Sequence, residues 1–427
     1  MKAVIVAVGS EMLTPFRTDT NSLFITERLN TIGYDVRLKA VVGDDAGELA
    51  RVLADALAWA DLIAITGGLG PTEDDLTRDA VARVLDVPMD IDEAIVERLK
   101  DRFARRGMTM PEINRRQAMV PRGATALPNP NGTAPGLWVE RGHTAILVMP
   151  GPPREMRPML ESAIEQRLTA KSAGHGLYRR VLKITGRAES DVDAYAAPVY
   201  GKWTTQDIPI STTILAVLGQ IELHLTARAE SRSQADAALE PAVKELEGVL
   251  GPSVYSVDGR GLEVVVGDLL RERKLTIACA ESCTGGLLMS RLTDVPGSSD
   301  YVDRGVVCYS NRAKTELAGV PEVLIAEHGA VSEPVARALA EGIRSRAHAN
   351  IGVGITGVAG PGGGTPKKPV GTVAIAVVSD DDARVRTFQF LGDRAMVKFQ
   401  AAQSALNLTR VMVAKLQSGR EWAERRS

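Results

Sequence analysis

Cysteine and histidine are scarce in this sequence, and no long apolar run occurs. Its 427 residues include five histidines and three cysteines, Cys279, Cys283 and Cys308. An odd number of cysteines in one region argues against a disulfide framework, and without nearby histidines they make a poor zinc site. No apolar segment approaches the roughly 18 residues of a membrane-spanning helix, and the run after Lys2 ends at Gly9, too early for a signal peptide. We therefore expect a cytoplasmic protein with no membrane partner.

Excess charge is also absent, since the formal net charge is -2. This balance gives no general attraction to nucleic acid or to membrane surfaces. With 44% hydrophobic residues, the chain can bury sizeable cores. Its length suggests roughly two to four domains.

Apolar runs and amphipathic segments alternate in the first part of the chain. The pattern predicts strands at 3–8, 36–42 and 62–66 and helices at 22–31 and 46–59. Such alternation is typical of an α/β domain with a parallel sheet. Ligands of such domains bind at the carboxyl ends of the strands.

A loop rich in glycine and acids, residues 67–77 (GGLGPTEDDLT), follows the third of these strands. It leads into a predicted helix with Thr72 and Asp75 at capping-box spacing, and no Walker Gly-Lys-Ser/Thr follows. Carboxylates would repel a bound phosphate unless a divalent cation lay between them, so phosphate binding here implies Mg²⁺ or a similar ion. Alternatively, Glu73, Asp74 and Asp75 only complement a helix dipole.

A polar stretch, residues 280–286 (AESCTGG), lies between a predicted strand at 274–278 and a predicted helix at 287–292. Ser282 therefore falls at the turn from strand to helix. Gly285 and Gly286 permit close approach of a ligand to a helix N-terminus, where free N–H groups favour an oxyanion. These features indicate an acyl-transfer site.

A serine nucleophile needs a base, and no histidine lies in this stretch. A desolvated lysine can serve, and Lys314 follows the apolar run 305–308. Alternatively, Ser282 is a helix cap and Lys314 a surface residue. Cys283 is the rival nucleophile because a helix N-terminus lowers a thiol pKa, or else it is a small buried hydrophobe.

A break at residues 171–176 precedes a small α+β unit, and a second break at 257–261 precedes the last domain. In that last domain, residues 352–357 match the dinucleotide fingerprint GxGxxG. Its glycines lie inside a predicted strand, 350–356, and no helix opens at the third one. We therefore discount dinucleotide binding there.

Six motifs occur in order between residues 280 and 394: AESCTGG, YSNRAK, HGAVSEPVA, ITGVAGPGGGT, KPVGTV and GDR. Together they resemble the C-terminal domain of the competence/damage-inducible CinA family, standalone versions of which are nicotinamide mononucleotide (NMN) deamidases. The resemblance implies an amide hydrolase that needs no cofactor. The implied catalytic group is Ser282 or Cys283, Lys314 and Tyr309, and the implied NMN contacts are Thr284, Gly285, Gly286, Asn311, Thr356, Gly357 and, for the phosphate, Arg394.

The N-terminal motifs resemble the molybdopterin-binding fold as it occurs in the same family. They are GSEM (9–12), DTN (19–21), TGGLGPTEDDLT (66–77), NRRQA (114–118), NPNGTAPG (129–136) and MPGPPREM (149–156). The resemblance implies an ADP-ribose pyrophosphatase that uses Mg²⁺, Mn²⁺ or Co²⁺. The implied metal ligands are Asp19, Asp74 and Asp75, and the implied ADP-ribose contacts are Glu11, Asn21, Gly67, Gly68, Thr72, Asn131, Thr133, Gly151, Pro152 and Arg154.

One loop departs from the family pattern. Residues 14–17 are Thr-Pro-Phe-Arg where the family has a glycine shortly after its first motif. Proline fixes φ and removes a donor, so we expect a reshaped loop beside this site.

The middle unit is similar to the KH-type fold, which elsewhere binds single-stranded nucleic acid through a Gly-x-x-Gly loop. Here the matching residues 186–189 read Gly-Arg-Ala-Glu, and acids outnumber bases nearby. This composition favours a spacer or dimerisation module over nucleic-acid binding.

We predict three domains at 1–170, 177–256 and 260–420 and, from the resemblance, a homodimer. The competing hypothesis is a non-enzymatic accessory with a recombination or competence protein as partner, which only the family name implies. In that case the first domain would bind a pterin or nucleotide, by fold analogy.

Overall fold

A computed structural model describes residues 1–171 and 174–416. By internal contacts it forms two compact units, one of Met1–Tyr178 with Thr226–Ala238, the other of Arg179–Leu225 with the chain from Leu239 onward. Parts of the predicted 171–176 break and of the predicted last domain, residues 172–173 and 417–420, lie outside the described residues. Within the described ranges, no helix is long and apolar enough to cross a membrane.

The first unit is built on a six-stranded sheet. Its strands are β1 (Lys2–Val8), β2 (Asp35–Val42), β3 (Leu62–Thr66), β4 (Met89–Ile91), β5 (Met119–Pro121), β6 (Thr125–Leu127), β7 (Gly136–Arg141) and β8 (Thr144–Met149). The sheet order is β2-β1-β3-β8-β7-β6, and β4 pairs only with β5. The predicted parallel sheet is confirmed for β2, β1, β3 and β8, while β7 and β6 run antiparallel.

The register of this sheet brings four strand ends to one edge. Val8 pairs with Val42, and Thr66 pairs with both Ala7 and Met149. The loops that follow β1, β2, β3 and β8 therefore meet at the same edge, which is where parallel sheets bind ligands.

Helices cover both faces of this sheet. They are α1 (Asn21–Thr31), α2 (Ala46–Leu57), α3 (Thr77–Leu85), α4 (Glu93–Ala104), α5 (Pro153–Ala163) and α6 (Thr169–Lys171), with 3-10 turns at Ser10–Leu13 and Glu112–Ala118 and a π-helical turn at Ile164–Leu168. Alternate strand residues enter opposite cores, so that Ile63 and Ile65 pack with α2 whereas Leu62 and Ala64 pack with α1 and α5.

The predicted capping box at Thr72 and Asp75 is wrong, because α3 begins only at Thr77 with Leu76 before it. The Asp75 carboxylate instead accepts bonds from Gly70 N at 2.6 Å and Thr72 N at 2.9 Å. These bonds fold the glycine-rich loop upon itself, since a side-chain acceptor satisfies loop N–H groups as well as helical ones.

The middle of the chain is α+β, as predicted. Its elements are β9 (Gly176–Ile184), α7 (Glu189–Tyr200), β10 (Ile210–Val217), β11 (Gln220–Ala229), α8 (Arg232–Leu250) and β12 (Val254–Ser256), with 3-10 turns at Trp203–Thr205 and Gly251–Ser253. The strand order is β10-β11-β9-β12.

The last part of the chain is α/β. Its strands are β13 (Ile277–Glu281), β14 (Val302–Val307), β15 (Ile351–Gly357), β16 (Thr372–Val378) and β17 (Ala383–Gln389). Its helices are α9 (Leu262–Glu272), α10 (Leu287–Thr293), α11 (Asn311–Ala318), α12 (Glu322–His328), α13 (Glu333–Ala347) and α14 (Arg394–Val413), with a 3-10 turn at Ser298–Asp300. The order is β14-β13-β15-β16-β17, with the first three strands parallel.

The strand predicted at 274–278 begins three residues later, at Ile277, because Lys274 adopts φ 55° where the chain leaves α9. The strand then continues to Glu281, directly before Ser282. A left-handed residue cannot belong to a strand, so local geometry set this boundary.

The glycines of the GxGxxG match lie in β15, as predicted, and serve close packing. A Cβ on Gly352 would lie 2.1 Å from Ala340 O, and one on Gly354 would lie 2.2 Å from Ala336 O. Both oxygens belong to α13, so the glycines allow this helix to pack directly on the strand.

Candidate functional site

Two parallel strands bring Ser282 and Lys314 together. Glu281, the last residue of β13, pairs with Val307 of β14, so the segments after both strands begin at the same edge. Ser282 N donates to Ile355 O at 2.9 Å, which fixes the serine beside β15. Lys314, on α11 after β14, places its Nζ 3.0 Å from Ser282 Oγ. The predicted nucleophile and base are therefore in hydrogen-bond contact.

Lys314 is only 2% exposed. Its other Nζ contacts are carbonyl oxygens, Cys308 O at 3.2 Å and Tyr309 O at 3.4 Å, and it forms no ion pair with any described residue. Burial lowers the pKa of Lys314. Since desolvation disfavours the charged amine, the site favours the neutral form that can accept a proton.

The alternative nucleophile, Cys283, lies in the core at 5% exposure. Burial raises the pKa of Cys283 to about 12. The thiolate is the reactive form of cysteine, so this environment disfavours Cys283 as nucleophile. Cys279 and Cys308 are buried free thiols whose pKa values burial also raises.

Glu281 is a site residue that the sequence interpretation missed. It is 1% exposed, and its carboxylate accepts bonds from Gly286 N and Leu288 N at 3.1 Å and from Met289 N at 2.9 Å. These donors form the start of α10, so Glu281 caps that helix and holds the turn containing Ser282. In the sequence, the only indication of this role was that an acidic residue directly precedes Ser282.

The turn before α10 has an unusual backbone. Gly285 and Gly286 have φ 64° and 92°, in the left-handed region that favours glycine. A Cβ on Gly285 would lie 3.7 Å from Lys398 Nζ, a second residue that the sequence interpretation missed. Thr284 Oγ1 is buried and has no hydrogen-bond partner within residues 1–171 and 174–416. Buried hydroxyls are normally paired, so this one is a candidate contact for a ligand atom.

Tyr309 and Arg394 meet at the surface beside this turn. Arg394 Nη2 donates to the Tyr309 hydroxyl at 2.7 Å, and Nη1 donates to Gly360 O at 2.9 Å. Arg394 begins α14, and Lys398 lies one turn further on the same helix face. Asn311 is exposed at the start of α11. Two cations on one face are well placed for an anionic group.

Thr356 and Gly357 lie at the end of β15. Thr356 is 1% exposed, and its hydroxyl donates to Ala330 O at 2.7 Å. A Cβ on Gly357 would lie 3.0 Å from Cys283 Sγ. Both residues therefore make packing contacts within the protein, and their predicted contact with NMN stays a prediction.

In the first unit, a pocket of about 360 Å³, here called the glycine pocket, lies at the shared strand edge. The predicted residues that line it are Glu11, Gly67, Gly68, Asp74, Asp75, Thr133, Gly151 and Pro152. Asp44, Gln117 and Glu155 also line it and were not predicted. Asp44 lies two residues beyond β2, and this position after a parallel strand could have indicated from the sequence that it lines the pocket.

Other predicted residues lie outside the lining and support it instead. They are Asp19, Asn21, Thr72, Asn131 and Arg154. Asn21 Nδ2 donates to Gly151 O at 2.7 Å, and Asp19 Oδ1 accepts from Ser22 N at 2.9 Å at the start of α1. Asn131 Nδ2 donates to Arg154 O at 2.9 Å.

The acids of the glycine pocket do not form a closed metal cage. Among described residues, no group of three or more His, Cys, Asp and Glu could hold a metal ion, so the predicted set Asp19, Asp74 and Asp75 is not assembled. Asp74 is exposed, and a bond from Thr72 lowers its pKa. Mg²⁺ often binds through one or two carboxylates plus substrate phosphates, and the donors present fit that type of site.

Three family models match consecutive parts of the chain. They are "Probable molybdopterin binding domain" at residues 4–170, "Damage-inducible protein CinA KH domain" at 179–256 and "CinA C-terminal domain" at 260–413.

Two relatives match the chain over nearly its whole length. The chain is 47% identical over 414 residues to a CinA-like protein of Koribacter versatilis, covering 96% of this chain and 99% of the relative. It is 44% identical over 410 residues to a CinA-like protein of Solibacter usitatus, covering 96% and 98% respectively. With this identity over nearly the whole of both chains, and three matching domain models in order, the chain belongs to the CinA family.

Proposed function

We propose that the C-terminal domain is an amide hydrolase that converts NMN to nicotinate mononucleotide and ammonia. The observation that carries this proposal is the 3.0 Å contact between Ser282 Oγ and the buried Nζ of Lys314. Serine–lysine pairs perform acyl transfer when burial keeps the amine neutral. The choice of NMN as substrate rests on the resemblance of the six motifs to those of NMN deamidases.

In the proposed reaction, Ser282 Oγ attacks the carboxamide carbon while Lys314 Nζ takes the hydroxyl proton. The backbone N–H groups of Cys283 and Thr284 stabilise the oxyanion. Lys314 then returns the proton to the nitrogen, the C–N bond breaks and ammonia leaves. Water, deprotonated by the same amine, attacks the acyl-serine ester and releases the carboxylate with Ser282 restored.

The same geometry offers contacts for the rest of NMN. Arg394 and Lys398 bind the phosphate, because both cations lie beside the catalytic turn on α14. The Tyr309 hydroxyl, held by Arg394, orients the substrate. Thr284 Oγ1 pairs with a ligand atom, which would satisfy the hydroxyl that is orphaned in the free protein.

The test is ammonia release from NMN by the full-length protein in EDTA. We expect Ser282→Ala to lower kcat by about a thousandfold or more, because loss of a nucleophile removes the covalent route. Cys283→Ala is the matched control at the adjacent position and should stay within about tenfold of wild type, a modest packing effect.

Loss of activity in Cys283→Ala alone would move the nucleophile by one residue. An inactive wild type would refute the amidase assignment and leave the accessory-protein hypothesis in its place.

A second activity is favoured by the glycine pocket. Five carboxylates, Glu11, Asp44, Asp74, Asp75 and Glu155, line a glycine-rich pocket at the strand edge. We propose that it hydrolyses ADP-ribose to AMP and ribose 5-phosphate, with Mg²⁺, Mn²⁺ or Co²⁺ held by Asp74 and Asp75. When bound, the ion would neutralise pyrophosphate charge that these acids would otherwise repel.

We propose that the middle domain serves dimerisation, since its 186–189 loop lacks the second glycine of nucleic-acid-binding relatives of this fold. Sedimentation of the full chain should give twice the monomer mass. A monomer, or binding of single-stranded DNA at physiological salt, would refute this role.

A further inference from the structure

A second cavity of the first unit, about 540 Å³ in volume, is formed by α4, the loop 128–135 and α5 with its π-helical turn. Its apolar lining includes Ile95, Leu99, Leu127, Pro128, Pro135 and Met159. Four arginines, Arg98, Arg102, Arg105 and Arg167, and one carboxylate, Asp101, also line it. We call this cavity the arginine pocket.

Three of these arginines follow one face of α4, two within the helix and Arg105 as the residue that ends it. Arg98, Arg102 and Arg105 are spaced by four and three residues, so their side chains stack along the same side of the helix. Like charges at this spacing destabilise a helix. The helix dipole offsets charge only in the last turn, and Asp101 is the one carboxylate in this lining, so the lining keeps an excess of positive charge that suits an anion.

The guanidinium groups have unused donors. Arg102 Nε and Arg167 Nε are both buried, and neither has a hydrogen-bond partner among the described residues. Arg102 Nη1 donates to Pro130 O at 3.1 Å, and Arg167 stacks over the Trp138 ring at 5.4 Å from its centroid. In the described part of the chain, no ion pair involves any of the four arginines. Buried N–H groups normally have acceptors, so these donors are left for a ligand.

The backbone around Arg167 is itself unusual. Gln166 and Arg167 lie in the π-helical turn Ile164–Leu168, which interrupts the helical run after α5. π-Helical turns are rare and occur frequently at functional sites, because the extra residue redirects side chains. Here the turn directs both residues into the lining of the cavity.

We propose that the arginine pocket binds an organic phosphate of nucleotide size. Guanidinium forks bind phosphate oxygens in pairs, and the apolar wall accommodates a ring. The volume lies within the range of small-molecule sites. This site adjoins the glycine pocket but has a different lining, because the two share only Thr133 of the 128–135 loop, and Asn129 Nδ2 fixes that loop to Glu155 at 2.9 Å.

The test is calorimetric titration of the full-length protein with ADP, in EDTA at low salt. EDTA removes divalent metal, which the proposed binding of phosphate in the glycine pocket requires. We expect ADP to bind, adenosine not to bind, and Arg102→Gln/Arg167→Gln to weaken ADP binding at least tenfold. The thermal transition of each variant is recorded to show that it is folded.

Two further variants complete the test. Arg98→Glu/Arg105→Glu alters only exposed side chains on the rim and should weaken ADP binding at least as much, without affecting folding. Arg106→Gln, an exposed neighbour that does not line the cavity, should bind ADP as wild type does. Absence of ADP binding in the wild type, equal binding of adenosine, or unchanged ADP binding in both double variants would overturn the proposal.

Discussion

At the residue scale, the proton transfer that we propose for the C-terminal domain depends on the burial of Lys314. An exposed lysine is charged at neutral pH and cannot act as a base. At 2% exposure, with carbonyl and hydroxyl oxygens as partners, the amine loses hydration and gains no carboxylate in return. In the proposed reaction this buried amine takes the role of base that a histidine commonly has, since no histidine lies in residues 280–286.

This environment predicts the pH dependence of NMN hydrolysis. Burial lowers the pKa of Lys314 below its ordinary value of 10.5, and only the neutral amine accepts a proton. We expect kcat/KM to rise with pH through the pKa of Lys314 and then to level off. The measurement is kcat/KM for NMN across the pH range where the fold is stable. A rate that falls on this basic limb would contradict a lysine base.

Glu281 is the second residue that decides this site. Its carboxylate accepts three backbone N–H bonds in a buried turn. Glu281→Gln removes the charge and leaves donors unsatisfied, so we expect a loss of about 1–3 kcal/mol in the free energy of unfolding. Urea denaturation measures it, with a parallel loss of NMN hydrolysis because the turn holds Ser282.

The matched control for that variant is Glu316→Gln on α11, which removes only an exposed ion pair with Arg312. Such pairs contribute about 0–1 kcal/mol. If both variants unfold at the same urea concentration, Glu281 does not cap α10.

At the scale of elements, the contact between α13 and β15 supports the catalytic edge. Gly354→Ala would place a methyl group 2.2 Å from Ala336 O and 2.6 Å from Ala340 N, both backbone atoms of α13. Because a helix backbone cannot yield as a side chain can, we expect a destabilisation of about 2 kcal/mol or more, measured by urea denaturation.

Gly362→Ala provides the comparison in the same domain, because a Cβ there meets nothing within 4 Å. It should unfold at nearly the wild-type midpoint. Equal urea midpoints for the two variants would contradict this, because they would mean that α13 can move away from β15 at no cost in stability.

At the scale of the whole molecule, the two proposed activities would use different chemistry in different units of the chain. With Mg²⁺, we expect AMP release from ADP-ribose, its loss in EDTA, and a reduction of about tenfold or more in Asp74→Asn, a typical cost of disturbing a metal site. Ser282→Ala should leave this activity unchanged. EDTA-resistant AMP release would refute metal-dependent hydrolysis, and a pterin bound without turnover would favour the binding hypothesis.

Much of the fold follows from local sequence. The predicted strand 62–66 matches β3 residue for residue, because apolar periodicity and flanking breakers are local signals. The Ser282 turn was located in the same way. The predicted helix cap at Thr72 was wrong, because the same spacing also occurs in a loop in which Thr72 N donates to the Asp75 carboxylate.

The sequence by itself determined the order of elements, the family and the residue types of the Ser282 site, since these depend on short patterns and motifs. Only the tertiary structure decided which of them meet and in what ionisation state. Ser282 and Lys314 are 32 residues apart and meet because β14 lies beside β13. Burial lowers the pKa of Lys314, which favours the neutral amine, and raises the pKa of Cys283, which disfavours the thiolate. The arginine pocket combines α4 with a turn more than 60 residues later. Contact and desolvation between distant segments are properties of packing, which no local pattern encodes.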